Sequence, residues 1–256
     1  MSFALLKALR EVEGEIRKLP RAKKPEKWAA KNYIGAGESK LEFLDLTAPT
    51  LRARLLSGFS FSDASLAEQW RIWDYVWKNS PTFEVMNGAL EFAGNLSDEE
   101  ILKKKRILFA WVKRSDNWAH SDTLSSLYAR ILETDRKAIL PVLHRWVKSR
   151  NPWERRQSLV SLLYYSNSRD HKRVLSYREL ISFIEHHVED PHYFVQKGVG
   201  WTIREVYNLY PKETVKWLRQ NITRLAAPAW QASTEKLPTE VKNALKAKRK
   251  EKRPRA

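Results

Sequence analysis

Trp118 and Asp122 stand four residues apart, in the stretch Arg114-Ser115-Asp116-Asn117-Trp118-Ala119-His120-Ser121-Asp122. Asp116 or Asn117 is a suitable N-cap, so a helix starting there puts the indole and the carboxylate on one face. An acid beside an aromatic face can stabilise a cation. A core indole next to a surface carboxylate is the plainer alternative, and the rest of the chain must decide between them.

The surroundings are strongly basic. Forty-seven Lys and Arg face 30 Asp and Glu among 256 residues, a formal net charge of +17. That excess points to a polyanionic partner, nucleic acid first and an anionic membrane surface second. The chain has no cysteine, which excludes disulfides, iron–sulfur clusters and thiolate zinc sites. The N-terminus has no signal-peptide core, and no apolar run approaches the ~20 residues of a membrane span. The expectation is a soluble, cytoplasmic protein without membrane attachment.

The elements that must position these residues are helical. Glycine is scarce and apolar residues recur at helical spacing. Helices are predicted near 2–18, 25–33, 48–57, 63–79, 82–94, 98–113, 117–132, 135–148, 152–166, 171–187, 191–208, 212–220 and 238–249. Ser97-Asp98-Glu99-Glu100 has the form of a capping box, and Asn151-Pro152 that of an N-cap followed by proline. There is also a repeat. Trp111-Val112-Lys113 recurs as Trp146-Val147-Lys148, 35 positions on, with Trp118 matching Trp153 and Leu124 matching Leu159. A looser third copy aligns Phe194 with Trp153 and Lys197 with Arg156. Helix pairs at this period predict an all-α fold, an α-α superhelix (solenoid) of about six stacked pairs with a concave face. One domain is expected over residues 1–235. Residues 236–256, with nine Lys or Arg and two Glu, read as a disordered basic tail.

The repeat isolates the carboxylate. The positions matching Asp122 hold Gln157 and Gly198. Arg156 and Lys197 occupy successive rungs, and Trp201 and Arg204 continue the third, so one face is predicted to carry Trp118, Asp122, Arg156, Lys197, Trp201 and Arg204. Arg and Lys grip phosphates without reading sequence. A carboxylate among phosphates is useful if positive charge develops there, as on the oxocarbenium-like sugar formed when an N-glycosidic bond breaks. A purine already cationic through N3 or N7 alkylation leaves without a general acid. One carboxylate and two indoles then suffice, with Arg156 and Arg204 keeping Asp122 ionised.

Residues 114–122, the segment Asn151-Pro152-Trp153-Glu154-Arg155-Arg156, and Tyr193-Phe194-Val195-Gln196-Lys197-Gly198-Val199-Gly200-Trp201-Thr202-Ile203-Arg204-Glu205 together resemble the bacterial AlkD family of DNA alkylation repair glycosylases. A weaker likeness runs through Lys31-Asn32-Tyr33 and Ala89-Leu90-Glu91, and the whole covers most of residues 25–225. The resemblance implies HEAT-like repeats, a monomer on nucleoid DNA, no cofactor, and release of N3- and N7-alkylpurines from double-stranded DNA without base flipping. It implies that Asp122 is the catalytic carboxylate, that Trp118 and Trp201 contact the lesion's deoxyribose, and that Arg156 and Arg204 hold phosphates near it. Lys197 joins them as a DNA-binding cation on the repeat argument. The chain departs from the family near Trp28-Ala29, where an aromatic that supports the lesion site meets Ala29.

Two other readings stay open: a non-catalytic binder of unusual DNA structures, and a scaffold for an acidic protein. Metal chemistry is not expected. His186, His187 and His192 lack carboxylate or cysteine partners at ligand spacing, and read as solvent-exposed histidines at helix ends. The chain also lacks a phosphate-cradling glycine loop.

Overall fold

The computed structural model describes residues 2–23, 29–162 and 174–252. The fold is all-α and of the helical-repeat class, with fifteen α-helices among the described residues. The described chain divides into two compact units, residues 1–127 and 128–256.

The first unit contains α1 (Ser2–Arg17), α2 (Ala30–Ile34), α3 (Ala48–Leu56), α4 (Leu66–Asn79), α5 (Phe83–Gly94), α6 (Asp98–Lys103), α7 (Lys105–Trp111) and the start of α8 (Trp118–Thr134). Its core is aromatic. Trp77 and Trp111 stack with ring centroids 5.1 Å apart, and Trp70 tilts against Trp111 at 6.1 Å. The polar edges of two of them are satisfied: Trp77 Nε1 donates to the Trp111 carbonyl at 3.0 Å, and Trp111 Nε1 to Asp74 Oδ1 at 2.8 Å, whereas the buried Trp70 Nε1 has no hydrogen-bond partner among the described residues. Such pairs contribute about 0.5–1.5 kcal/mol beyond area burial. The predicted helix over 98–113 is broken at Lys104, and Val112–Arg114 closes it as a 3-10 turn. Ser97 caps α6, accepting from the Glu100 amide at 3.3 Å. Glu100's carboxylate pairs with Lys103 at 2.9 Å.

The second unit continues through α9 (Arg136–Val147), α10 (Pro152–Val160), α11 (Tyr177–Glu185), α12 (Tyr193–Leu209), α13 (Pro211–Gln220), α14 (Ala227–Ser233) and α15 (Thr239–Lys252). Asn151 caps α10 as expected, accepting from the Trp153 amide at 2.9 Å. Much of the predicted junction between helices 152–166 and 171–187 lies outside the described residues. α11 opens on a full capping box, Ser176 with Glu179. Val195, Val199, Ile203 and Val206 form the buried side of α12. α14 escaped the sequence reading; its Ala-Pro-Ala-Trp segment has almost no periodicity. It packs on α12 at Gly200, where a Cβ would lie 2.5 Å from the Ala229 carbonyl oxygen.

α15 agrees with the helix predicted over 238–249, whereas the disorder read from the charge of residues 236–256 does not hold, since the stretch is helical as far as Lys252. The reason is Arg249, whose guanidinium is buried, donates to the Leu225 carbonyl at 2.6 Å and to the Ile222 carbonyl, and lies 4.6 Å from the Trp230 ring centroid. Composition counts that arginine as solvated charge, whereas its donors cap the end of another segment.

Gly200→Ala should therefore destabilise the second unit by about 1–3 kcal/mol, the usual cost of overpacking. Chemical denaturation will show it as a lowered midpoint at unchanged slope.

Candidate active site

In the first unit, the start of α8 positions Trp118 and Asp122. Asn117 is the N-cap: its Oδ1 accepts from the His120 amide at 2.9 Å. Its Nδ2 lies 3.1 Å from Asp116 Oδ1 and 3.1 Å from His120 Nδ1. An amide nitrogen can only donate, so His120 Nδ1 accepts and Nε2–H donates to the Phe83 carbonyl at 3.2 Å. His120 is buried, stacked on Phe83 at 4.4 Å, and burial lowers its pKa to about 4. A neutral, fully bonded imidazole thus pins the first turn of α8 to the core. Trp118 is then left on the outer side, partly exposed, with Asp122 one turn on and also partly exposed.

The Trp118 indole is held from a second direction. Its Nε1 donates to the Tyr33 carbonyl at 3.0 Å, and the Tyr33 ring meets it edge-on at 5.5 Å. Tyr33 is itself 62% exposed. From α2 the chain turns through Ala36 and Gly37, both at positive φ. It then reaches Asp116, whose carboxylate accepts from Ser39 Oγ and the Lys40 amide at 2.8 Å each. Residues 33–40 are therefore a strap tied to the chain on both sides of the α8 cap. In the sequence, Tyr33 stands out only within the weaker likeness through Lys31-Asn32-Tyr33. A tyrosine in a polar stretch carries no periodic signal. Trp28, beside the position where the family's aromatic is missing, lies outside the described residues.

In the second unit, α10 and α12 carry the other four. Arg156 is 4% exposed, and its Nη1 donates to the Phe194 carbonyl at 2.7 Å. Its guanidinium carbon is 6.0 Å from the Trp201 ring centroid. Arg156 packs on α12 at Gly198, where a Cβ would meet it at 3.4 Å, an ordinary contact. Lys197, Trp201 and Arg204 fall on successive turns of α12, all partly exposed. Lys197 Nζ lies 6.0 Å from the ring of Tyr193, which is half exposed. Arg204 pairs with Glu205 at 3.1 Å and Glu235 at 2.7 Å, and Glu205 also meets Lys236 at 3.5 Å. Neither carboxylate was anticipated.

The other tryptophans give these two their meaning. Trp70, Trp73, Trp77, Trp111, Trp146, Trp153 and Trp217 are all buried. Trp118, Trp201 and Trp230 are partly exposed, and Trp230 is faced by Arg249. Trp118 thus departs from its repeat partner Trp153, whereas Trp111 and Trp146, and Leu124 and Leu159, share burial.

Of the three histidines read as solvent-exposed, His186 is exposed, His192 is partly exposed and His187 departs from the expectation. His187 is buried, with Nε2 2.9 Å from Ser158 Oγ and Nδ1 3.7 Å from Asp190 Oδ2. The order Ser–His–Asp invites comparison with a hydrolytic triad, but the chemistry fails. Ser158 spends its only proton on the Arg155 carbonyl at 2.7 Å, so His187 donates to it instead of taking a proton from it. All three side chains are also closed off from substrate. Asp190 is held by Arg155 at 2.6 Å. Among the described residues no group of three or more His, Cys, Asp or Glu could hold a metal ion.

These features define a class first: a basic helical-repeat protein that presents two partly exposed indoles, one with a carboxylate a turn away and the other among cations. A family model described as DNA alkylation repair enzyme matches residues 16–237, and the chain belongs to that family. Among solved structures, a predicted DNA alkylation repair enzyme from Enterococcus faecalis is similar at TM-score 0.66 and 18% identity. The match covers 87% of this chain and all of that one. AlkD2 from Streptococcus mutans matches at TM-score 0.54 and 17% identity, over 84% of this chain and 99% of that one. At such identities these two likenesses concern the fold. No curated protein sequence matches.

Burial lowers the pKa of both His120 and His187 from 6.5 to about 4. A depressed histidine pKa means that protons bind the unfolded chain more readily. Stability is therefore fully present above pH 6.5 and is lost as pH falls toward 4. At 1.36 kcal/mol per unit the loss reaches about 3 kcal/mol per histidine. Urea midpoints measured between pH 7.5 and 4.5 should fall accordingly, and His120→Gln should flatten the profile.

Proposed function

We propose that the protein is a monofunctional DNA glycosylase that releases N3- and N7-alkylated purines from duplex DNA without extruding the base. The observation that carries this reading is the start of α8, where a partly exposed indole braced by Tyr33 stands one turn from a partly exposed carboxylate. Family membership supports alkylated DNA as the substrate.

In this reading the cationic base leaves with the electron pair of the C1′–N bond and becomes neutral. The deoxyribose is left as an oxocarbenium ion. Asp122 stabilises that charge and orients the attacking water, whose proton is then lost to solvent. Trp118 and Trp201 flank the sugar with their π faces. Arg156, Lys197 and Arg204 bind the phosphates around it. The protein acts as a monomer, without a cofactor, in the cytoplasm.

The test is to incubate methylated duplex DNA with the pure protein and quantify free 7-methylguanine and 3-methyladenine. Asp122→Asn should reduce release at least a hundredfold, in line with loss of one preorganised electrostatic group. Its affinity for DNA should be equal or slightly higher, because a repulsive charge is gone. Unchanged release by this variant would sink the mechanism. Salt-sensitive DNA binding with no abasic product from the wild type would favour the non-catalytic DNA binder.

A further inference from the structure

The first unit contains a cationic cleft distinct from the six residues above. It has a volume of about 440 Å³ and is lined by Lys40, Lys78, Lys113, Arg114, Ser115 and Asp116, among others. Four of these six are cations and one is an acid. The acid is already engaged, both its oxygens accepting from Ser39 and the Lys40 amide. Lys78 pairs with Asp74 at 2.6 Å, and Arg114 donates to the Ser80 carbonyl at 2.7 Å, which holds its guanidinium in place. Lys40 and Lys113 are exposed, and no side chain among the described residues pairs with either ammonium group. Ser115 is 4% exposed, and its hydroxyl has no hydrogen-bond partner.

An open cleft with surplus positive charge, two uncommitted ammonium groups and an unused hydroxyl suits a tetrahedral oxyanion. We infer that this cleft binds a backbone phosphate of the DNA strand that passes Trp118. The inference rests on the nucleic-acid part of the proposed function, not on its glycosylase chemistry. The position favours a phosphodiester over a free phosphate. Asp116 in the cleft wall and Trp118 are two residues apart, so their Cα atoms are at most about 7.6 Å apart. That is roughly two base rises of 3.4 Å. The strap of residues 33–40 joins the two places, holding Trp118 at Tyr33 and the cleft at Ser39 and Lys40. A phosphate seated here would anchor the strand within a few nucleotides of the indole.

The experiment uses undamaged duplex DNA, so it reads independently of base release. Lys40→Ala/Lys113→Ala should weaken binding about tenfold and make the slope of log affinity against log salt shallower by about one to two. Circular dichroism should match the wild type. A control, Lys7→Ala/Arg10→Ala on α1, removes equal charge at exposed positions and should leave the slope unchanged. An unchanged slope in the cleft variant, or an equal change in the control, would overturn the proposal. Titration of inorganic phosphate supplies the second arm. Saturable binding that the cleft variant abolishes, combined with an unchanged DNA slope, would assign the cleft to free phosphate and overturn the phosphodiester reading.

Discussion

The hydrogen bonds of the Asn117 side chain organise the candidate site residues of the first unit. One short amide accepts from the His120 backbone, donates to the His120 ring and donates to Asp116. An N-cap of this kind contributes about 1 kcal/mol to helix stability. Its larger effect is directional. With His120 locked between Phe83 and Trp77, the rotation of α8 is set, and Trp118 has to leave the core. A solvent-facing indole is costly in apolar exposure, and the Tyr33 ring and carbonyl offset part of that cost. The strap is thus the natural consequence of putting tryptophan where its repeat partner Trp153 is buried.

The candidate residues of the second unit depend on different packing. α12 is buried through its valines and isoleucine, and Gly200 lets a neighbouring helix approach closely. α14 uses the space at Gly200, and Arg156 lies against Gly198 at ordinary contact distance, beneath Trp201. In the motif Lys197-Gly198-Val199-Gly200-Trp201 the three inner residues are buried, while Lys197 and Trp201 at its ends stay partly exposed one turn apart. This is why the segment combines glycine, poor in helix propensity, with an unbroken helix of seventeen residues.

Much of this was legible in the sequence, for identifiable reasons. Helix type followed from spacing, and the caps at Ser97 and Asn151 followed from residue type, because both signals are local. The repeat correctly paired the buried Trp111 with Trp146 and Leu124 with Leu159. What stayed hidden was non-local. Tyr33 meets Trp118 across 85 positions, Glu235 meets Arg204 across 31, and Arg249 is buried against carbonyls more than twenty residues away. Charge counting treats each ionisable group as solvated. It therefore failed where a guanidinium or an imidazole found enclosed partners, as in the C-terminal helix and at His187.

The same distinction separates the two arginines proposed to hold phosphate. Arg204's partner Glu235 is 61% exposed, and a pair so open to water contributes at most about 1 kcal/mol. A phosphate can replace that carboxylate at little cost, and the displaced Glu235 is rehydrated. Glu205, 3% exposed, stays with Lys236 and keeps the arginine's Nε side in register. Arg156 cannot exchange so cheaply. Its bond to the Phe194 carbonyl is buried, and leaving that acceptor unpaired would cost about 1–3 kcal/mol. Arg156 is therefore the fixed charge of the pair, acting where it stands under the Trp201 ring. Under the proposed function, Arg204 is the one free to exchange its exposed carboxylate for a phosphate.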